Sequence, residues 1–202
     1  MERTLAELQQ KALLRRFYLA GGTGLALHLG HRRSHDLDFF SGERFDEETL
    51  LQEMQSLSGF SLAAKAPHTL HGAIAGTKIS FLAYSYPVLF PFTTFLGAQV
   101  ADLRDIAAMK ISALASRGTK RDFVDLYAVS RRHGLEQCLA WFQRKFAQVS
   151  YSRVHVLKSL TYFEDAEKDP MPEMLTPLSW DEVKQFFTRE ALRLAATGSV
   201  LF

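Results

Sequence analysis

The sequence predicts an α+β protein, in which a small core of strands and helices is followed by a helical C-terminal subdomain. Strand-like and helix-like patterns alternate through the first hundred residues, whereas every strong pattern from Asp102 onward is helical. No long polar linker separates the two parts. We therefore expect residues 1–100 to form the α/β core and residues 101–202 to form a subdomain that packs on it and completes its site.

The first half of the chain contains short predicted elements around a pair of glycines. Apolar residues recur at helical spacing in residues 2–16, and residues 17–20 form an apolar run that ends at Gly21-Gly22. The elements predicted after the glycines are a helix over 25–29, a strand over 36–40, a helix over 46–57 and β-like runs within 60–84. A stretch with two prolines, 86–92, interrupts regular structure.

The second half is predicted to be entirely helical. The predicted helices cover roughly residues 102–117, 120–132, 135–147, 152–163 and 179–196. Pro170 and Pro172 mark the loop before the last of them.

Composition and charge narrow the classes of function. The chain is 47% hydrophobic, which is enough for a substantial core, and its net charge of +2 excludes a polycation that coats nucleic acid. Cys138 is the only cysteine, so the chain forms no internal disulfide and no thiolate metal cluster. The charged N-terminus lacks an apolar signal segment, and no uncharged apolar run reaches the roughly 20 residues of a membrane span. We expect a cytoplasmic protein without a membrane partner.

Gly21 and Gly22 stand between a predicted strand and a predicted helix. Glycine lets a backbone approach a ligand closely, and a helix start presents N–H groups to an anion, to which Thr23 adds a hydroxyl. An ordinary tight turn is the alternative. Two known phosphate loops are excluded, because no GxxxxGK[ST] string occurs and the dinucleotide fingerprint lacks its third glycine.

Asp36 and Asp38 lie in a stretch, DLDFF, that has the alternation and aromatic content of a strand. Residues two apart on a strand point to the same face, so the two carboxylates converge. Neighbouring carboxylates repel each other unless a cation lies between them, and oxygen ligands favour Mg²⁺, which also binds phosphates. Solvated acids on an edge strand are the alternative. The preceding glycine turn favours a site for Mg²⁺ or Mn²⁺.

The string GGTGLALHLGHRRSHDLDFF resembles the first motif of the DNA polymerase beta-like nucleotidyltransferase superfamily. Within it, the chain most resembles the AbiEii-type abortive-infection nucleotidyltransferases, the toxin halves of toxin–antitoxin pairs. That family adds a later helix with a lysine and an RDxxD element, which correspond here to Asp105–Lys110 (DIAAMK) and Arg117–Tyr127 (RGTKRDFVDLY). The resemblance spans residues 17–131. It implies a nucleotidyltransferase mixed-sheet core with flanking helices.

Lys110 interrupts the apolar stripe of its predicted helix, one turn from Ile106 and one from Leu114. A buried ammonium needs a fixed negative partner. Lys110 therefore either extends its stem to water, reaches a triphosphate, or pairs with a carboxylate such as Asp125. Arg117 lies on the same side at the helix end.

Asp122 and Asp125 lie three residues apart on the next predicted helix and are therefore neighbours. Taken alone, Asp122 suits a capping role, and Asp125 suits a surface ion pair with Arg121. The resemblance instead implies that this element belongs to the active site, and we expect Asp125 to be its inward acid.

Ser80 marks a departure from the superfamily pattern, in which many members carry a third acidic residue on a later strand. The matching strand here is 78–82 (KISFL), and the position expected to be acidic holds Ser80. Serine is a poor metal ligand. Either Asp122 or Asp125 supplies the third acid, or catalytic power is reduced.

His28, His31 and His35 lie close together in the sequence, so we considered whether they form a zinc site. Gly30 ends the helix between them, which disfavours a shared tetrahedral site. Contact with phosphate better explains a histidine or arginine near Asp36.

These observations together predict an enzyme that transfers a nucleoside monophosphate from an NTP to an acceptor and releases pyrophosphate. The predicted catalytic residues, of which the first two hold the metal, are Asp36, Asp38, Lys110 and Asp125. The predicted nucleotide-binding residues are Gly21, Gly22, Thr23, Arg32, Ser34, Arg117 and Asp122. The resemblance implies an RNA acceptor, with the 3′ end of tRNA first, and a cognate antitoxin protein. A catalytically weakened nucleotide-binding protein and a small-molecule nucleotidyltransferase remain as alternatives.

Overall fold

The structure of the protein is a computed structural model in which residues 2–10 and 12–197 are described. The chain forms two compact units: a sheet unit of residues 1–24 and 34–102, and a helical unit of residues 25–33 and 103–202. Residues 25–33 thus group with the second half of the chain, although they precede most of the strands in sequence. The combination of a mixed sheet with helices confirms the predicted α+β class.

The sheet unit contains seven strands within the described residues. Its helical segments are α1 (Glu2–Gln10), a 3₁₀ turn (Leu13–Arg15), the start of α2 (Gly21–Leu29) and α3 (Glu47–Gln55). Its strands are β1 (Tyr18–Leu19), β2 (Leu37–Ser41), β3 (Phe60–Ala66), β4 (Thr69–Ile74), β5 (Thr77–Ala83), β6 (Thr93–Phe95) and β7 (Ala98–Val100). The strand order is β3-β4-β5-β2-β1-β7-β6. The pairs β2–β5 and β1–β7 are parallel, and the other pairs are antiparallel.

One face of the sheet forms the hydrophobic core of this unit. Leu37 and Phe39 of β2 are buried, and Phe39 stacks on Phe81 of β5 with ring centroids 5.4 Å apart. Side chains of α1 and α3 complete the same cluster: Leu5, Leu8, Leu50 and Met54. Burying each such side chain contributes about 1.5–3 kcal/mol. The alternate residues of β2, including Asp38, therefore lie on the opposite face, which we call the Asp38 face.

The helical unit contains the end of α2 and, within the described residues, six helices of the second half. These are α4 (Leu103–Ser116), α5 (Lys120–His133), α6 (Leu135–Lys145), α7 (Arg153–Ser159), α8 (Glu164–Glu167) and α9 (Trp180–Thr197). An ion pair of 2.7 Å between Lys145 Nζ and Asp105 Oδ1, with both side chains buried, joins α6 to α4. Within the described residues, no helix has both the length and the apolar character that crossing a membrane requires.

Three predicted helices differ from the observed ones. The helix predicted over 2–16 ends at Gln10, and Ala12 has a left-handed φ of 56° before the 3₁₀ turn. The helix predicted over 25–29 begins at Gly21, because its first hydrogen bond joins Gly24 N to Ala20 O at 2.9 Å. The helix predicted over 152–163 is divided into α7 and α8.

The hairpin of β6 and β7 was not predicted from the sequence. Its turn is Leu96-Gly97, with φ values of 47° and 78°. Two consecutive residues with positive φ form the two-residue turn that suits the twist of paired strands. The strands have only three residues each, too few for the alternation of polar and apolar residues to be recognised.

Candidate active site

Gly21 brings the end of β1 against Asp38. The Ala20 N–H donates to the Asp38 carbonyl at 3.0 Å, and the chain then turns at Gly21, whose φ is +61°. A Cβ at position 21 would lie 2.7 Å from Oδ2 of Asp38. The amides of Gly21 and Gly22 precede the hydrogen-bond ladder of α2, as the first amides of any helix do. The turn therefore places the start of a helix beside a carboxylate.

Thr23 fixes the loop that leads into β2. Its side chain is buried, and its hydroxyl donates to the backbone carbonyl of Asp36. The same hydroxyl is hydrogen-bonded to the Ser34 hydroxyl at 2.9 Å. The hydroxyl proton of Thr23 is thus used for a hydrogen bond within the loop. This geometry favours a positioning role for Thr23 over the predicted contact with phosphate.

Asp36 and Asp38 are both half-buried, and Asp36 lies one residue before β2 begins. Within the described part of the chain, the Asp38 carboxylate has no hydrogen-bond or ion-pair partner. An unneutralised carboxylate beside a second one is the electrostatic environment that attracts a cation. No group of three or more His, Cys, Asp or Glu side chains able to hold a metal occurs among the described residues. Two carboxylates nevertheless fit Mg²⁺, which commonly takes one or two of them and completes its shell with water and phosphate oxygens.

Ser80 lies beside Asp38 on the same face of the sheet. The two residues are partners in the parallel register of β2 and β5, and Ser80 is in turn the partner of His71 in the antiparallel register of β4 and β5. His71 Nδ1 is hydrogen-bonded to Ser80 Oγ at 3.1 Å. Asp38, Ser80 and His71 therefore form a row across three strands on the Asp38 face.

Sequence reasoning did not select His71. The turn that joins β4 to β5 is Ala75-Gly76, whose two residues both have positive φ. A two-residue turn fixes the register of a hairpin, and this register opposes His71 to Ser80. Recognising that turn in the sequence would have identified the pair.

Lys110 and Asp125 form the centre of a buried ionic cluster within the helical unit. Lys110 Nζ lies 2.6 Å from Asp125 Oδ2 and 2.8 Å from Asp122 Oδ1. Arg32 binds Asp125 through two nitrogens, Nε at 2.6 Å from Oδ1 and Nη2 at 2.8 Å from Oδ2. His31 Nε2 lies 2.8 Å from Asp125 Oδ1. The predicted pairing of Lys110 with Asp125 is thus present in the structure.

The charges of this cluster stabilise one another. Burial alone would raise the pKa of the Asp125 carboxyl, but the Lys110 ammonium and the bonds from Arg32 and His31 lower it far below its ordinary value. Burial likewise would lower the pKa of Lys110, and Asp125 and Asp122 instead raise it. Asp125 and Lys110 are therefore both ionised around neutral pH.

The Asp125 carboxylate is fully enclosed, with 0% of its side chain exposed. It accepts four bonds from Lys110, Arg32 and His31, which is about the capacity of a carboxylate. Arg32 is also buried, and its Nη1 donates to the Arg33 carbonyl at 2.9 Å. This geometry favours positioning roles for both residues over the predicted roles of third acid and phosphate contact.

Asp122 lies in the first turn of α5, whose N-cap is Thr119 rather than Asp122. The Asp122 carboxylate accepts a bond from the Thr119 hydroxyl at 2.6 Å and one from Arg117 Nε at 3.1 Å. Burial raises the pKa of Asp122, but Lys110 and Arg117 outweigh it and hold the pKa below its ordinary range. Arg117 keeps 65% of its side chain exposed.

The predicted site residues fall into two groups, each brought together within its own unit. The group of the sheet unit is Gly21, Gly22, Thr23, Ser34, Asp36 and Asp38. The group of the helical unit is Arg32, Lys110, Arg117, Asp122 and Asp125.

Comparison with known proteins identifies related chains. A family model described as "Nucleotidyl transferase AbiEii toxin, Type IV TA system" matches residues 3–95 and 82–196. An uncharacterized protein of Aquifex aeolicus (strain VF5) is 38% identical over 180 residues, which cover 86% of this chain and 85% of that protein.

Two solved structures from Helicobacter pylori resemble the fold. One, described as a candidate nucleotidyltransferase, has a TM-score of 0.55 at 17% identity and covers 97% of this chain and 94% of its own. The other, JHP933, has a TM-score of 0.49 at 16% identity and covers 98% and 93%. The first of these structures shows that this chain and that protein share a fold.

Proposed function

The chain belongs to the AbiEii family of nucleotidyl transferase toxins, and from this premise we propose that it transfers a nucleoside monophosphate from an NTP to an RNA acceptor in a Mg²⁺-dependent reaction. Membership of a nucleotidyltransferase family makes the protein a transferase. The metal, the nucleotide site and the acceptor are our proposals. The observation that carries them is the carboxylate of Asp38, which has no partner among the described residues and lies against the glycine turn.

Asp36 and Asp38 are the residues that would hold Mg²⁺, or Mn²⁺ in its place. When bound, the ion would neutralise charge on the transferred phosphate and on the leaving pyrophosphate. The amides of Gly21 and Gly22 bind phosphate oxygens, because the first amides of a helix point toward an anion. The hydrogen bond from the Thr23 hydroxyl to the backbone carbonyl of Asp36 holds Asp36 in position for the ion.

The proposed step is an in-line substitution at the α-phosphorus. A hydroxyl oxygen of the acceptor forms a bond to the α-phosphorus, and the bond from that phosphorus to the bridging oxygen breaks. Pyrophosphate leaves with the electron pair, and the proton of the hydroxyl passes to water. The protein contributes position and electrostatic stabilisation rather than a covalent intermediate.

Asp125 and Arg32 act as positioning residues in this proposal. Their mutual bonds fix residues 31–32 to α5 and hold the Lys110 ammonium in a defined place within the helical unit. Asp125 has no acceptor position left for a metal ion or for the proton of an incoming hydroxyl. We therefore propose that Asp125 does not serve as the third acid, and that Ser80, with His71, occupies the position beside Asp38.

The family supports a protein partner. The matched model describes toxins of type IV toxin–antitoxin systems, so we propose a separately encoded antitoxin that limits the activity. The 3′ end of tRNA remains the first acceptor to test.

A labelling experiment tests this function. The purified protein is incubated with each α-labelled NTP, Mg²⁺ and total RNA, beside Asp38→Asn and the exposed control Asp181→Asn. We expect label on RNA with the wild type and with Asp181→Asn, and none with Asp38→Asn. Bound nucleotide without transfer would indicate the weakened-enzyme alternative, which the serine at position 80 favours. Label on small molecules alone would overturn the RNA assignment.

A further inference from the structure

A cavity lies within the sheet unit, at the Ser41 end of the β1–β2 pair. Its volume is about 640 Å³, within the range of roughly 300–1,000 Å³ that ligand sites occupy. We call it the arginine pocket after its three arginines, Arg15, Arg16 and Arg44. None of the residues predicted to form the nucleotide site lines it. It is therefore distinct from the predicted nucleotide site.

The three arginines and two acids that line the arginine pocket give it a net formal charge of +1. Within the described residues, the guanidinium groups of Arg15 and Arg44 have neither a hydrogen-bond nor an ion-pair partner, and both side chains are exposed. Arg16 is paired with Glu53 at 2.5 Å. Glu43 and Asp46 also line the pocket.

Of Glu43 and Asp46, Asp46 already takes part in a hydrogen bond. The Asp46 carboxylate accepts the Thr49 N–H at 2.7 Å and so caps α3. The bond from Thr49 lowers the pKa of Asp46. Asp46 therefore keeps its negative charge, and the lining carries three guanidinium groups against two carboxylates; with Arg16 paired to Glu53, Arg15 and Arg44 are the cations open to an anion.

Aromatic rings border the same cavity. Phe92 and Tyr18 lie with their ring centroids 5.1 Å apart, and Phe45 lies against Phe17 at 5.2 Å. Phe92 is only half-buried. Positive grooves that also carry aromatic side chains are typical of sites for single-stranded nucleic acid, because arginine binds phosphate and rings stack on bases.

The pocket is close to Asp38 along the sheet. Tyr18 is the register partner of Phe40, two residues from Asp38, so Tyr18 stands on the Asp38 face. Ser41 is three residues beyond Asp38 on the same strand, roughly 10 Å away, with its side chain on the opposite face, so the pocket lies at the end of the strand. A flexible polynucleotide strand can therefore reach both places at once.

We propose that the arginine pocket binds a single-stranded segment of the RNA acceptor, a few nucleotides from the end that is modified beside Asp38. This inference rests on the proposed function, because it assigns a substrate to the same site. Phosphates of the strand bind Arg15 and Arg44, and a base packs against Phe92.

The test measures RNA binding without catalysis. Anisotropy of a fluorescein-labelled oligoribonucleotide of about 12 residues is titrated with the wild type, with Arg15→Gln/Arg44→Gln and with Arg3→Gln/Lys65→Gln. The last variant loses the same charge at two paired surface cations of the sheet unit. We expect the first variant to bind on the order of tenfold more weakly and its salt slope to fall by about 1.4, the value for two lost phosphate contacts.

Two further measurements separate the explanations. Phe92→Leu should weaken RNA binding on the order of tenfold without changing the salt slope, since stacking releases no counterions. Binding of Mg²⁺ and NTP, followed by calorimetry, should be unchanged in Arg15→Gln/Arg44→Gln. Equal RNA affinity in the two double variants, or loss of NTP binding in the first, would overturn the assignment. A failure of Asp38→Asn to abolish transfer would instead overturn the proposed function and leave the RNA measurement standing.

Discussion

Gly21 and Asp38 approach so closely that no side chain fits between them. A Cβ on residue 21 would lie 2.7 Å from Asp38 Oδ2, and the φ of +61° at this position is one that residues with a side chain rarely adopt. The contact joins the glycine turn to the candidate metal site. It also provides a direct test of that site.

We predict that Gly21→Ala weakens the binding of Mg²⁺ and NTP at least tenfold, because the new methyl group displaces the Asp38 carboxylate. Gly30→Ala is the matched control, since Gly30 has a φ of +59° but no atom within 4 Å of the added Cβ. Both variants should lose about 1–2 kcal/mol of stability from the left-handed backbone. Calorimetry of binding and urea unfolding measure the two effects. Equal affinities in both variants would contradict the site assignment.

We predict that Ser80→Asp increases Mg²⁺ affinity several-fold, because it adds a carboxylate beside Asp38 on the same sheet face. Without the metal, the two like charges repel, so the variant should be less stable than the wild type. The melting temperature, measured with and without Mg²⁺, should therefore rise more in Ser80→Asp than in the wild type. Thr94→Asp adds the same charge at an exposed position of β6 and should show no such gain. An equal gain in both variants would refute the prediction.

Lys110→Met should lower the free energy of unfolding by about 3–5 kcal/mol, because it leaves two buried carboxylates without their shared cation. Lys168→Met, at a side chain that is 78% exposed, should change it by less than about 0.5 kcal/mol. Adding Asp122→Asn to Lys110→Met should recover part of the loss, since it removes one of the two carboxylates. Urea denaturation checks all three. A stable Lys110→Met would show that the cluster contributes little.

The loss of unfolding free energy at acidic pH should depend on Asp122. Its pKa is lowered in the folded protein, so its contribution is fully present above the unfolded value of about 3.9 and is lost as pH falls through the folded pKa. Below about pH 3.9 the Asp122 carboxylate binds a proton in the unfolded chain but not in the folded chain. Asp122→Asn should therefore reduce the slope of unfolding free energy against pH by about 1.4 kcal/mol per pH unit in this range. Urea unfolding at several pH values measures it, with Asp181→Asn as the exposed control. An equal change of slope in the two variants would contradict the prediction.

Much of the sheet unit was predictable because its signals are local. The alternation in DLDFF placed a strand within one residue of β2, and the glycine pair located the turn that precedes α2. The resemblance to the family pointed to Ser80, whereas its position beside Asp38 depends on the parallel register of β2 and β5. The short β6–β7 hairpin was not predicted, because strands of three residues are too short to show a period of two.

The sequence by itself determined the α+β class, the family and the choice of Asp36 and Asp38, because periodicity and motif spacing are properties of neighbouring residues. Only the tertiary structure decided the partners of Asp125, since Arg32 and His31 lie 93 and 94 positions away in the chain. It likewise gathered Arg15 and Arg44 at one cavity. The physical reason is the same in both cases: a local pattern determines which face of an element a side chain occupies, whereas packing determines which distant group it meets there.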